Sequence, residues 1–155
     1  MDAYAEFIAE VQAGGFDPPA GDEWSAEQIA AHVACEQEAL IATTESLIAG
    51  QPPELYDNRE ATDRAVLDQY ASSYGGLAGL ADRVAETVVA LRELAAQLGD
   101  RCEVEVPVRV ADGHEVVIDR PVAWGQLLRF DEETHVPRHL EQLRALRRQP
   151  APSSG

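Results

Sequence analysis

A chain of 155 residues suits one domain with its own hydrophobic core, and the composition gives no sign of a second. Its formal charge of −16, from 28 acidic against 12 basic side chains, argues against nucleic acid and anionic membrane surfaces as partners, because phosphate binding needs clustered Lys and Arg. No apolar run approaches the roughly 18 residues that span a bilayer, and Met1-Asp2-Ala3-Tyr4 lacks the basic region and apolar core of a signal peptide, so a cytoplasmic chain is expected. Cys35 and Cys102 stand far apart with no Cys-x-x-Cys, which indicates neither a disulfide scaffold nor a thiolate zinc site.

Tyr4, Phe7, Ile8 and Val11 recur at helical spacing and Gly14-Gly15 follows as a stop, which predicts a first helix over Asp2 to Ala13. Phe16 to Glu23, with Pro18-Pro19 and Gly21, reads as a loop. Ser25 is placed as an N-cap with Gln28 three residues on, and Trp24 can staple onto Ile29. They open a second helix that runs to about Ala49, where Gly50 and Pro52-Pro53 end it. Glu54 to Thr62 is polar and expected to be irregular.

From Val66 to Leu98 the apolar residues keep helical phase. As one helix the run would extend on the order of 50 Å, against roughly 36 Å for helix two, so Tyr74-Gly75-Gly76 is expected to kink or divide it. The period then changes from 3.6 to 2. Val104, Val106, Val108 and Val110 alternate with polar residues, and Asp112-Gly113 turns the chain toward Val116, Val117 and Ile118, which predicts a β-hairpin lying against the helices. Pro121 is read as the first residue of a last helix carrying Trp124, Leu127, Leu128, His135, His139, Leu143 and Leu146. Pro137 lies inside it, where it should kink the helix or mark a junction of two pieces. The expected fold is an all-α four-helix bundle over residues 1–148, with a small β-hairpin between helices 3 and 4 and a disordered tail over 149–155.

The chemistry concentrates in the histidines. His32 and Glu36 fall inside the apolar stripe of Ile29, Val33, Leu40 and Leu47, and a polar group in such a stripe needs a partner. His135 and His139, one helical turn apart, share a face between Leu128 and Leu146, with Asp131 and Gln142 near its edge. Facing helices of a bundle use such an arrangement to hold a metal ion, and three imidazoles with open positions suit zinc or nickel. Glu36 or Asp131 would act as a fourth ligand, an outer partner of an imidazole N–H, or a general base. The plain alternative is three hydrogen-bonded core histidines without metal. His114 falls at the turn and should face solvent, Cys35 lies on the outer flank of helix two, and Cys102 carries no signal. Trp24 and Trp124 are read as anchors of helix starts, Trp124 being the one placed to line a pocket as well.

Two stretches carry a family resemblance: Trp24-Ser25-Ala26-Glu27-Gln28-Ile29-Ala30-Ala31-His32-Val33, and His135-Val136-Pro137-Arg138-His139-Leu140-Glu141-Gln142-Leu143 about a hundred residues later. With them the chain resembles the DinB/YfiT-like superfamily of four-helix bundles, which includes the metal-binding domain of mycothiol-dependent maleylpyruvate isomerase. The resemblance implies that His32, His135 and His139 form a metal triad, commonly occupied by zinc or nickel. It also implies chemistry in which a metal-bound thiol, mycothiol or bacillithiol, attacks an electrophile. In the isomerase branch a carboxylate and a histidine four apart take the paired positions, here Asp131 and His135, so whether Asp131 or His139 pairs with His135 stays open. The Ala, Arg and Asp bias fits a high-GC actinobacterial source, where mycothiol would be the thiol.

The function expected from these readings is a cytoplasmic, metal- and thiol-dependent transferase or isomerase acting on a small electrophile. A non-catalytic metal or small-ligand binding bundle, such as a stress protein, is the alternative. The expected partners are a small-molecule substrate and, in a homodimer, a second copy of the chain.

Overall fold

The computed structural model describes residues 2–112 and 114–147; the tail expected over 149–155 and Gly113 of the expected hairpin turn lie outside them. α1 (Ala3–Ala13) starts where the Asp2 side chain accepts the Ala5 N–H and stops at Gly14. α2 (Ala26–Ile48) opens on a reciprocal pair: the Gln28 N–H donates to Ser25 Oγ, and the Ser25 N–H to Gln28 Oε1. Two backbone donors that would otherwise be orphaned at the helix end are thereby satisfied.

The structure corrects the four-helix expectation. The long run is two helices, α3 (Arg64–Ser73) and α4 (Leu77–Leu98), because Gly75 and Gly76 take φ values of 81° and 83°, left-handed backbone that ends a right-handed helix. α5 (Trp124–Phe130) passes through a π-helical turn (Asp131–His135) into α6 (Val136–Arg147). In that widened turn the Val136 N–H reaches back five residues to the Asp131 carbonyl. Pro137, which has no N–H to give, follows directly and so interrupts nothing. Counting this last rod once, the described residues form five helices rather than four.

The sheet also differs from a two-stranded hairpin. β2 (Glu105–Asp112) and β3 (Glu115–Ala123) pair antiparallel, and β1 (Tyr56–Asp57) adds a third strand parallel to β2, with Tyr56 opposite Val108. A two-residue strand is too short to show a period of 2 in sequence, and Glu54 to Thr62 read as irregular for that reason. Pro121 belongs to β3 rather than to the last helix. It lies opposite Pro107, on an edge strand where a missing N–H is tolerated.

Two apolar clusters make up the core. One gathers α1, the first half of α2, α3, the first half of α4 and α6; the other gathers the second half of α2, the sheet, the end of α4 and α5. α2 crosses both, with Val33 and Ala34 in the first and Leu40 in the second, while His32, Glu36 and Gln37 are buried polar residues at the crossing. The last rod crosses at the same level, from Leu127 through Asp131 to Val136. Among the described residues no helix is long and apolar enough to cross a membrane.

Candidate metal centre

The seam between the two clusters brings together residues more than a hundred positions apart. His32 Nε2 lies 3.2 Å from His135 Nε2, and His139 Nε2 lies 2.9 Å from the same atom. The three rings are edge-on to one another, with centroids 4.5 to 5.2 Å apart. His32 and His139 are buried, and His135 keeps one partly open edge.

The opposite ring nitrogens fix the tautomers. His32 Nδ1 donates to the Ala61 carbonyl at 2.6 Å, His135 Nδ1 to Asp131 Oδ1 at 3.0 Å, and His139 Nδ1 to Gln142 Oε1 at 2.7 Å. All three acceptors are oxygens without a proton to give, so each neutral ring carries its hydrogen on Nδ1 and presents a bare lone pair at Nε2. Lone pairs of His32 and His139 brought within hydrogen-bond distance of that of His135 repel it unless a cation or a proton stands among them. Metal bonds of about 2.0–2.1 Å meeting at about 90–110° separate ligand nitrogens by about 2.9–3.4 Å. The two spacings at His135 Nε2 fall in that range and all three histidines offer a ligand atom within 4.8 Å of the others, so the donor set fits a divalent ion.

Both acids lie at the centre, in different positions. Asp131 stands behind His135 with both oxygens engaged, Oδ1 by the imidazole and Oδ2 by the Tyr4 hydroxyl at 2.7 Å. Glu36 Oε2 approaches His135 Nε2 at 2.9 Å and His32 Nε2 at 3.7 Å. Its other oxygen accepts the Asn58 amide at 2.6 Å, and Asn58 is itself clamped to β2, donating to the Ala111 carbonyl and accepting the Ala111 N–H. Sequence reasoning found the three histidines and the two acids. It missed Asn58, Tyr4 and the Ala61 carbonyl, which reach the centre from the residue after β1, from α1 and from a single 3-10 turn (Glu60–Thr62).

Charge follows this geometry. Burial disfavours the imidazolium of His135, but the Glu36 carboxylate and Asp131 outweigh it and lift its pKa to about 10. Burial keeps His32 below the usual histidine value, and burial together with its two histidine neighbours does the same for His139. Burial would raise Glu36, yet His135 and His32 hold it well below the carboxylate range. In the metal-free centre one proton therefore sits on His135 Nε2 and is donated to Glu36. Burial and the carboxylates Glu38 and Glu36 push the Cys35 thiol up to about 11, which favours its protonated form. His114 is exposed.

A chamber of about 30 Å³ is lined by all three histidines and walled by Trp24, Phe130, Val110 and Val117, with the Arg138–Asp112 ion pair at its edge. Trp24 thus lines the centre in addition to preceding the cap of α2, whereas Trp124 is fully buried and donates to Thr44. Together the His, Glu and Asp side chains make a cluster compatible with metal coordination. No protein-family model, curated protein or solved structure matched the chain in comparison, so the centre is read from its own geometry.

Proposed function

We propose that the chain binds a divalent ion, zinc or nickel, through Nε2 of His32, His135 and His139, and uses it in thiol-dependent transfer or isomerisation of a small electrophile. The resemblance to the DinB/YfiT-like superfamily supplies the thiol part of this reading, with mycothiol as the cosubstrate in an actinobacterial cytoplasm. The observation that carries the metal part is the convergence of three Nε2 lone pairs whose Nδ1 hydrogens are already committed to oxygen acceptors.

A bound ion would supply Lewis acidity and lower the pKa of a water or thiol beside it. The protein's own groups do the rest. Ala61, Asp131 and Gln142 hold the rings in register, and Tyr4 holds Asp131, so Asp131 orients His135 rather than meeting substrate. Glu36, with Oε1 capped by Asn58, keeps Oε2 beside the Nε2 atoms of His135 and His32, where it can hold or take a proton from the ligand set.

Elemental analysis of untagged protein, followed by titration of mycothiol into it, tests both parts. One ion per chain, lost in His139→Ala, together with thiol binding supports the proposal. Tight metal binding without affinity for the thiol would leave a non-catalytic metal-binding bundle. No metal at all, with His135→Leu as stable as the parent or more so, would sink the metal reading.

A further inference from the structure

Two cavities share a wall of three side chains. The chamber lined by the three histidines, about 30 Å³, has room for one or two water-sized groups. Outside it lies a cleft of about 530 Å³, the volume of a small-molecule site. Trp24, Thr62 and Asp112 line both, and of these Trp24 has the bulk to divide them. Its indole lies 4.9 Å from the His32 ring and 6.4 Å from the His139 ring, at only 17° to the latter. It packs on the core cluster that contains Ile29 and immediately precedes the N-cap Ser25, so it is held from behind and along the chain. The two spaces differ in character as well. The inner one sets Val110, Val117 and Phe130 around its imidazoles with the Arg138–Asp112 pair at its edge, while the outer one adds Arg64 and the acids Asp22 and Glu23.

We infer that Trp24 is the specificity-determining residue of the centre: it admits only a slim, unbranched head group to the three histidines and keeps the ligand's bulkier body in the outer cleft. The ligand class is a small molecule with its donor atom on a narrow end and a polar, charge-bearing remainder. This inference rests on the metal reading. Trp24 acts by shape, so its removal should widen access without weakening the hold on the ion.

The experiment is Co²⁺ loading of untagged protein, read by the visible absorption of the bound ion, followed by titration with azide, a three-atom rod, and with benzimidazole, a fused two-ring donor. Azide should perturb the spectrum of the parent protein and benzimidazole should not. Forcing a bulky group into a packed space costs about 1–3 kcal/mol, so Trp24→Ala should bind benzimidazole about ten- to a hundredfold more tightly than the parent while still taking up Co²⁺. Trp24→Phe keeps a ring against the α2 core, carries the test should the alanine variant unfold, and should give an intermediate gain. Benzimidazole binding the parent as readily as azide does, or failing to improve in folded variants, would overturn the inference while leaving the metal centre in place. Absence of any Co²⁺ spectrum would instead overturn the metal reading and this inference with it.

Discussion

Each of the three imidazoles is held by a different kind of acceptor: a backbone carbonyl for His32, a carboxylate for His135 and a side-chain amide for His139. Removing one acceptor should loosen the ring without removing the ligand. Gln142→Leu leaves the His139 Nδ1–H without a partner, and divalent-metal affinity measured by calorimetry should fall about ten- to a hundredfold. The pH dependence follows from His135. Its folded pKa of about 10 lies above the ordinary value of 6.5, so its proton stabilises the metal-free fold fully below pH 6.5, and that contribution is lost as pH rises through 10. A metal ion must displace this proton. His32 and His139, whose values are lowered, have none to lose at neutral pH. Between pH 7 and 9 each ion bound should therefore release about one proton, giving roughly a tenfold rise in affinity per pH unit, measurable in buffers of different ionisation enthalpy. At this scale the sequence was informative where a residue interrupts a periodic pattern: His32 and Glu36 stand out because they occupy an apolar stripe. Asn58 and Tyr4 sit in no such position, and their roles arise only from how distant segments meet.

Between α3 and α4 the chain turns in very little space. Gly79, the third residue of α4, has no Cβ, and a Cβ there would collide with the Tyr74 carbonyl. Gly79→Ala should cost about 3 kcal/mol, the upper end of the overpacking range, because the obstacle is backbone and cannot rotate away. A denaturant melt with unchanged m-value would show it. The boundaries that sequence marked correctly carry local chemistry, as at Ser25 with Gln28 and at Gly75-Gly76. The ones it misplaced depend on pairing. Pro121 has a torsion that suits either the first turn of a helix or an edge strand, and what decides is the opposite strand, where Pro107 faces it. Tyr56–Asp57 becomes a strand because β2 offers it an edge. Pro137 signalled an irregularity, and the π-helical turn before it is the form that irregularity takes.

The whole molecule is tied at the seam between its two apolar clusters. α1 through Tyr4, α2 through His32 and Glu36, the 3-10 turn through Ala61, the sheet through Asn58 and the last rod all end on one set of atoms. An ion bound there stabilises the native state alone, since the unfolded chain scatters these groups. At a free metal concentration about a thousandfold above Kd the gain is about 4 kcal/mol. Stripping the ion with a chelator should therefore lower Tm by roughly 10 °C for a chain of this size, read by circular dichroism at constant pH. His135→Leu should make Tm indifferent to the chelator.

The separation of 103 residues between His32 and His135 also orders events in time. A growing polypeptide emits its first ligand early and the remaining two only after most of the polymer has left the ribosome. An ion captured by the nascent portion would meet one imidazole, too few to retain it against competing chelators in the cell. On the proposed metal reading, complete coordination is therefore a late, post-synthetic event, reached only once the last rod has joined α2.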